Sequence, residues 1–259
     1  MESSKWMQLA LTWVVVVVMG CQGQKASPAE VQAGKTLTCT GPSCTDTKLG
    51  RLTGREANPN RVAKIDLSGS AITDNGLKHL TRFTQLKWLV VNRTRVSDDG
   101  LRHVAKLTQL RRLNLHHTRL TDAGLRHLAR LTQLRELLLT YTAVTDAGLR
   151  QLAGFTQLRF LALGNMRVTD AGLRHLTKLT HLRELYLAYT GVTDAGLQHL
   201  LRLPHLRQLS LTGSRVTRAG IARFKRQRPR CRVFGPSPSL DTIEIKEAPR
   251  GEFSKVIRK

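Results

Sequence analysis

This chain of 259 residues contains few acidic and few aromatic residues. It has 18 Asp and Glu against 42 Lys and Arg, and aromatic residues make up only 5% of it. The shortage of acid leaves a formal net charge of +24. Residues 62–233 alone hold 30 of the basic residues and 10 of the acidic ones. The positive charge therefore belongs to the body of the chain and not to a terminal tail.

Sequence motifs of catalysis are missing as well. The sequence has no HExxH zinc motif, no GxSxG nucleophile elbow and no glycine-rich loop of the kind that cradles phosphates. We therefore expect a protein that is not an enzyme, that uses no cofactor or metal and that takes no small-molecule substrate.

Long apolar runs are limited to one, from Leu9 to Met19. It is too short to cross a bilayer, which takes ~20 apolar residues. A lysine before it and a cysteine after it favour a signal peptide over residues 1–20. Residues 18–21, Val-Met-Gly-Cys, resemble the bacterial lipobox, which implies a lipid anchor on Cys21 and a place in the cell envelope. The alternative is an ordinary secretory signal and a secreted protein.

Cysteine is also scarce, with four residues in the chain. Cys39 and Cys44 stand on either side of a Gly-Pro pair, which favours a turn that brings them together. In an oxidising compartment we expect them to form a disulfide. A zinc site is the rival interpretation, but two thiolates without a nearby histidine leave zinc short of ligands. Cys231 aligns with a core leucine and is expected to be a small buried apolar residue.

What the sequence has in abundance is a repeat of 24 residues. An aspartate, a glycine and a leucine or isoleucine recur with this step. The glycines are Gly76, Gly100, Gly124, Gly148, Gly172, Gly196 and Gly220. A leucine-based period of 20 to 29 residues is typical of a leucine-rich solenoid.

One unit, residues 121–144, shows how each repeat is expected to fold. Its leucines recur first at helical spacing and then at the two-residue spacing of a strand. Thr121 is the expected N-cap of the helix, and Asp122 lies in the first turn, where negative charge complements the helix dipole. Thr142 closes the unit, and its hydroxyl is expected to satisfy backbone groups in the neighbouring turn.

The combined pattern, LxxLxLxxT followed by hTDAGLxxL with h apolar, resembles the cysteine-containing, ribonuclease-inhibitor-like subclass of leucine-rich repeats. That subclass is known from F-box-associated adaptors and from bacterial envelope proteins. The resemblance covers about residues 62–233 and implies an α/β solenoid, an arc with parallel strands on the concave face and short helices on the convex face. Residues 21–44 are assigned to a tether and the start of an N-terminal cap. Residues 45–233 form the capped array of about seven repeats, and residues 234–259 a C-terminal tail.

The strand positions that face away from the core vary between repeats, unlike the rest of the unit. Aromatic residues, glutamates and arginines alternate there, and Trp, Tyr and Arg are frequent anchors of protein interfaces. We therefore expect non-catalytic binding of an unknown protein or peptide on the concave face. The expected binding residues are Trp88, Arg112, Glu136, Tyr141, Phe160, Glu184, Tyr186 and Tyr189.

Basic residues form columns that repeat almost without change. One column precedes the strands and contains Lys87, Arg111, Arg135, Arg159, Arg183 and Arg207. The alternative function is electrostatic binding of an anionic polymer or lipid, such as lipopolysaccharide, nucleic acid or a membrane surface. Repeat duplication of one soluble arginine explains the same column without a ligand, and a structural spacer is a third interpretation.

Histidines form a further column, on successive helices that are too far apart to share one zinc ion with ~2.1 Å bonds. They are expected to be surface residues that gain charge below pH ~6.5. The pair His116-His117, near Tyr141, is the remaining candidate for a metal site.

Overall fold

The structure is a computed structural model that describes residues 35–56 and 58–235. The predicted signal peptide, Cys21 and the chain beyond residue 235 lie outside the described residues. Within these described residues, nine strands form one parallel sheet whose spatial order follows the chain order. The strands are β1 (Lys35–Thr38), β2 (Val62–Asp66), β3 (Trp88–Val90), β4 (Arg112–Asn114), β5 (Glu136–Leu138), β6 (Phe160–Ala162), β7 (Glu184–Tyr186), β8 (Gln208–Ser210) and β9 (Arg232–Phe234).

Strand pairing repeats the sequence period. Between β2 and β9, the central strand residues pair with residues 24 positions further on, as in Leu89 with Leu113 and Leu185 with Leu209. These central leucines are completely buried, because alternate residues of a strand point to opposite faces of the sheet. The residues on either side of them form the opposite face, which we call the strand face.

Short helices carry the chain back from each strand to the next. The α-helices are α1 (Asp46–Arg51), α2 (Asp74–Leu77), α3 (Asp98–Val104), α4 (Asp122–Leu125), α5 (Asp146–Leu149), α6 (Asp170–Leu173), α7 (Leu197–Leu200) and α8 (Arg218–Gln227). Short 3₁₀-helices cover Pro59–Arg61, Lys78–Leu80, Arg126–Arg130, Arg150–Gly154 and Arg174–Lys178, and a π-helical turn covers Leu52–Glu56.

The predicted single helix per unit is divided in the structure. In the unit of residues 121–144, which we call the fourth unit, α4 continues directly into the 3₁₀-helix Arg126–Arg130. A 3₁₀-helix rises ~2.0 Å per residue against ~1.5 Å for an α-helix, so few residues suffice to return to the next strand. The predicted N-cap is confirmed, since the Thr121 hydroxyl accepts a hydrogen bond from the backbone N–H of Ala123 at 3.2 Å.

The core lies between the sheet and the helices and runs through the whole array. Leu125, Leu128 and Leu131 of the fourth unit are completely buried, as their helical spacing predicts. Phe83 and Phe155 are also fully buried and occupy the position of Leu107 in their repeats. In the described part of the chain, no helix combines the length and the apolar character needed to span a bilayer.

Each aspartate of the repeat binds the next repeat. The Asp122 carboxylate accepts hydrogen bonds from the backbone N–H and the hydroxyl of Thr145, both at 2.7 Å. The same pair of bonds joins Asp146 to Thr169. Because Asp122 also lies in the first turn of its helix, the predicted favourable place near the helix dipole is correct but incomplete. The carboxylates chiefly connect successive units, and we call this series the Asp–Thr ladder.

In four of the described units, a threonine closes the unit with a second kind of hydrogen bond. The Thr142 hydroxyl donates to the carbonyl of Leu139, three residues earlier, at 2.7 Å. The predicted partner in the neighbouring turn is therefore wrong, because the bond closes the turn of the same unit. Met166 stands at the equivalent position of the next repeat and has no hydroxyl to offer.

The N-terminal end begins earlier than the sequence predicts. The leucine-rich pattern recognised in the sequence starts at about residue 62, but β1 begins at Lys35 and pairs in parallel with β2. β1 has one apolar residue in four, so its side chains give no strand pattern, and its backbone hydrogen bonds hold it. Cys39 and Cys44 form a disulfide with their Cα atoms 5.5 Å apart.

The C-terminal end follows the expected pattern. Cys231 is buried, as predicted, and burial raises the pKa of its thiol to about 11. Thus the predicted architecture, with parallel strands on one side and short helices on the other, is confirmed across the array.

Candidate partner-binding surface

The N-terminal half of the strand face is built around one tryptophan, which lies against two basic side chains. The Lys64 ammonium lies 4.1 Å from the ring centre of Trp88, and the Arg112 guanidinium lies 5.0 Å from it. Arg112 also forms an ion pair with Glu136, with Nε and Oε1 3.0 Å apart. Trp88 is therefore half-buried beneath two cations, which fixes its ring but leaves it a smaller free surface than the sequence suggests.

The C-terminal half of the strand face is built around two aromatic rings. Phe160 and Tyr186 lie with their ring centres 5.1 Å apart and their planes inclined by 36°. The Tyr186 hydroxyl donates to Glu184 Oε2 at 3.2 Å, and the side chain of Gln208 donates to the same hydroxyl. Phe160 is only 9% exposed, so it supports Tyr186 from below, and Tyr186 offers the accessible ring.

The residues that leave the strands form a column with left-handed backbone conformation. Arg93, His117, Tyr141, Asn165 and Tyr189 have φ between 54° and 58°. Non-glycine residues rarely adopt this conformation. Their spacing of 24 residues is visible in the sequence, but their left-handed conformation was not predicted. The available signal was the glycine at the same position in the flanking units, since Gly69 and Gly213 also have positive φ.

Three rings meet at the exit of β4. His116 packs edge-on against Tyr141, with ring centres 5.5 Å apart, and His117 stacks on Tyr141 at 5.8 Å. His116 is buried, and this burial lowers its pKa to about 4, with Arg93 and His117 adding to the effect. Among the described residues no three His, Cys, Asp or Glu side chains are placed to hold a metal ion together. The arrangement is thus a packed aromatic cluster around a neutral histidine.

Beside this cluster lies a groove that sequence reasoning missed. We call it the exit groove. Its lining consists of Tyr141, Thr142, Ala143, Thr145, Asn165, Met166, Arg167 and Tyr189. It occurs where Met166 interrupts the series of closing threonines, and that interruption was the signal in the sequence. Tyr141 and Tyr189, both expected partner-binding residues, are its two aromatic walls.

The basic columns remain at the surface. Arg159, Arg183 and Arg207 of the column before the strands are exposed, whereas Arg111 and Arg135 are half-buried. On the helix side, burial lowers the pKa of His103, and Lys78 and Lys106 lower it further. Burial also lowers the pKa of His175, together with Arg174 and Arg150. These two histidines therefore gain charge at a lower pH than an ordinary histidine, within the range below pH ~6.5 that the sequence predicts.

Comparison with known proteins identifies the architecture. Residues 125–252, just under half of the chain, match the family model of the FBD-associated F-box protein At5g56370, LRR repeats. Internalin C2 from Listeria monocytogenes str. 4b F2365 is 25% identical, with a TM-score of 0.59, over 78% of this chain and 79% of the internalin. The fold is a leucine-rich-repeat solenoid. Internalin F from the same strain is 19% identical, with a TM-score of 0.42, over 74% of this chain and 71% of its own. None of the curated proteins matches this chain.

A leucine-rich-repeat solenoid offers an extended surface on which each repeat contributes a few side chains. In this one, the core leucines, the Asp–Thr ladder and the closing threonines repeat almost without change. The strand face and the exit groove change from repeat to repeat. Solenoids of this kind are typically non-enzymatic scaffolds.

Proposed function

We propose that this chain is a non-catalytic scaffold that binds a partner protein on its strand face. One observation carries the proposal: side chains vary on this face, whereas the core leucines and the Asp–Thr ladder repeat almost without change. A structural spacer has no need of such variation. The face also carries its aromatic and charged residues in fixed positions, with Trp88 between two cations and Tyr186 between Glu184 and Gln208. Pre-ordered side chains lose little conformational entropy when a partner binds.

The expected binding residues do not contribute equally to this proposal. Phe160 has little surface left for a partner, and replacing it with alanine removes buried packing of about 3 kcal/mol. Tyr186 is more accessible, and Tyr186→Ala leaves the core leucines untouched. The sharper test of the strand face is therefore Tyr186→Ala, and not the replacement of Phe160.

The experiment is affinity capture from a cell-envelope fraction, with the wild-type protein, Tyr186→Ala and Trp88→Ala as baits. We expect the recovery of one discrete protein to fall at least about tenfold with each variant, as for a central interface anchor. Arg126→Ala, an exposed change on the helix side, is the matched control and should capture as the wild type does. Equal recovery with all four baits would contradict the proposal.

The same proposal includes an anchor in a bacterial envelope through lipidated Cys21, with secretion as the alternative. Its support is the lipobox-like sequence alone. Expression of the wild type and of Cys21→Ser, followed by detergent phase partition and mass spectrometry, tests it directly. A diacylglycerol adduct on the wild type, lost in the variant, is the expected result, and an unmodified wild-type protein in the aqueous phase would contradict it.

A second candidate function is electrostatic binding of an anionic polymer or lipid through the column Lys87, Arg111, Arg135, Arg159, Arg183 and Arg207. It is favoured by the exposure of most of these side chains. Capture at ~0.15 M and ~0.5 M salt separates the two, because the Debye length falls from ~8 Å to ~4 Å. Retention of a protein at high salt supports partner binding on the strand face. Loss of all bound material at high salt, with no effect of Tyr186→Ala, supports the basic column.

A further inference from the structure

The exit groove combines aromatic walls, a floor with one apolar and one polar side chain, and a basic rim. Tyr141 and Tyr189 form its walls, and Tyr189 is 41% exposed. Met166 lies on its floor beside Asn165, whose side-chain nitrogen is covered and has no hydrogen-bond partner. A covered donor without a partner costs about 1–3 kcal/mol. A ligand that brings an acceptor oxygen to this nitrogen would remove that cost.

The charge around the groove is positive. Its eight lining residues include Arg167 and no acid. Thr145, at one end, already binds the Asp122 carboxylate through its N–H and its hydroxyl. Along the edge, the exposed arginines Arg119, Arg167 and Arg215 alternate with Ala143 and Gly191. The small residues between them leave each guanidinium accessible, so the rim complements a ligand with regularly spaced negative charges.

The spacing of these side chains sets the geometry of the ligand. Backbone bonds between strands continue into the exit column, as from Tyr141 N–H to Gly164 and from Tyr189 N–H to Thr212. With neighbouring strands ~4.8 Å apart, the two tyrosines, and likewise successive arginines, are ~10 Å apart along the edge. A polyproline-II chain repeats every three residues over ~9.3 Å. A β-strand repeats every two residues over ~7 Å and does not fit.

We propose that the exit groove binds an acidic polyproline-II segment of a partner protein, with a carboxylate at Arg167 and a proline between Tyr141 and Tyr189. This inference rests on the proposed function for the polypeptide nature of the partner, and it adds a site, a conformation and a charge pattern. Aromatic-lined grooves suit such segments because the polyproline-II chain is already ordered before it binds.

The test measures binding of a fluorescent peptide of four Glu-Pro-Pro repeats to the purified protein, by anisotropy in ~0.15 M salt. Arg167→Gln should weaken binding at least about tenfold, because it removes a charge-assisted contact. Arg95→Gln is the matched control. Arg95 is exposed in the same column, lies outside the groove and should leave the affinity unchanged. Asn165→Gly keeps the left-handed backbone, as Gly69 and Gly213 do, and should also weaken binding.

Two further peptides of the same length decide between recognition and general charge. Repeats of Gln-Pro-Pro lack the carboxylates, and repeats of Glu-Gly-Gly lack the preformed conformation, so both should bind at least about tenfold more weakly. The inference fails if Glu-Pro-Pro does not bind, if Glu-Gly-Gly binds equally well, or if Arg95→Gln and Arg167→Gln weaken binding alike. Tyr186→Ala should leave peptide binding intact. The experiments therefore distinguish failure of the proposed binding on the strand face from failure of the proposed binding in the exit groove.

Discussion

At the scale of single residues, the repeated glycine is explained by the aspartate of the preceding repeat. Gly148 lies in the first turn of α5, and a Cβ atom at that position would lie on the Asp122 carboxylate of the preceding repeat. The aspartate needs this space because it binds Thr145 with both oxygens. Glycine is therefore required here by close approach of a neighbour and not by an unusual backbone angle.

The close approach of the Asp122 carboxylate predicts different effects for two glycines of the same repeat. Gly148→Ala should lower the free energy of unfolding by about 1–3 kcal/mol, because the carboxylate and the side chain of Val144 must move. Gly154→Ala should be neutral or stabilising by up to about 1 kcal/mol, since no atom lies within 4 Å of its Cβ position. Urea unfolding of both variants measures the difference. Equal destabilisation would show that the carboxylate contact is unimportant.

The buried histidine gives a prediction about pH. The pKa of His116 is about 4 in the folded protein and 6.5 in the unfolded chain. Above pH 6.5 neither state binds the proton, so the residue has no effect there. As the pH falls from 6.5 to 4, the unfolded chain binds a proton that the folded protein does not, and up to roughly 3 kcal/mol of stability is lost.

His116→Thr removes that titration and supplies the residue that the next repeat carries at this position, Thr140. Urea unfolding at pH 7 and pH 4 should therefore show a smaller loss of stability in the variant than in the wild type. The other carboxylates and histidines titrate in both proteins, so the difference between the two isolates His116. An identical loss in both would contradict the assignment of a depressed pKa to this side chain.

At the scale of the secondary-structure elements, the Asp–Thr ladder connects each helix start to the next. Asp146 accepts the N–H of Thr169 at 2.8 Å and its hydroxyl at 2.5 Å. The Thr169 hydroxyl in turn caps the following helix by accepting the N–H of Ala171. One carboxylate thereby orders the N-cap of a second helix, so neighbouring repeats stabilise each other through their helix starts as well as through the sheet.

Removal of one ladder carboxylate should be more costly than removal of an ordinary surface acid. Asp146→Ala leaves two donors of Thr169 without their charged acceptor and should cost about 1.5–3 kcal/mol. Asp99→Ala removes only an exposed pair with Arg102, at 3.2 Å, and should cost at most about 1 kcal/mol. Denaturant unfolding at pH 7 compares the two. Similar costs would mean that water replaces the ladder bonds without loss.

What the sequence predicts about these elements depends on the range of the interaction. The strands, the helix starts and the buried leucines follow from spacing within one unit, and the structure agrees. The ladder joins residues that are 23 positions apart, so the pattern within one unit does not predict it. β1 was missed because Lys35–Thr38 has a single apolar residue and relies on backbone pairing. The exit groove depends on how two neighbouring repeats differ, so Met166 could only suggest that something changes there.

At the scale of the whole molecule, the acidic residues are engaged in local bonds while the positive charge spreads over the surface. Glu136 pairs with Arg112 and Glu184 with Tyr186, and most of the aspartates belong to the ladder. On the helix side, burial is the main cause of the lowered pKa values of His103 and His175. Nearby Lys and Arg side chains lower these pKa values further, as expected in a positive field. Such an excess of one sign destabilises the compact state through self-repulsion.

Added salt should therefore stabilise this protein. Raising the salt from ~0.02 M to ~0.3 M shortens the Debye length from ~20 Å to ~6 Å, and the free energy of unfolding in urea should rise. Replacing the exposed column Arg126, Arg150 and Arg174 with glutamine should raise the stability at low salt and reduce its dependence on salt, because fewer charges remain to be screened. Three exposed replacements outside any ladder bond leave the core unchanged, so a change in salt dependence reports charge alone. A wild-type stability that falls as salt is added would mean that the favourable pairs, such as Arg112 with Glu136, outweigh the repulsion between the columns.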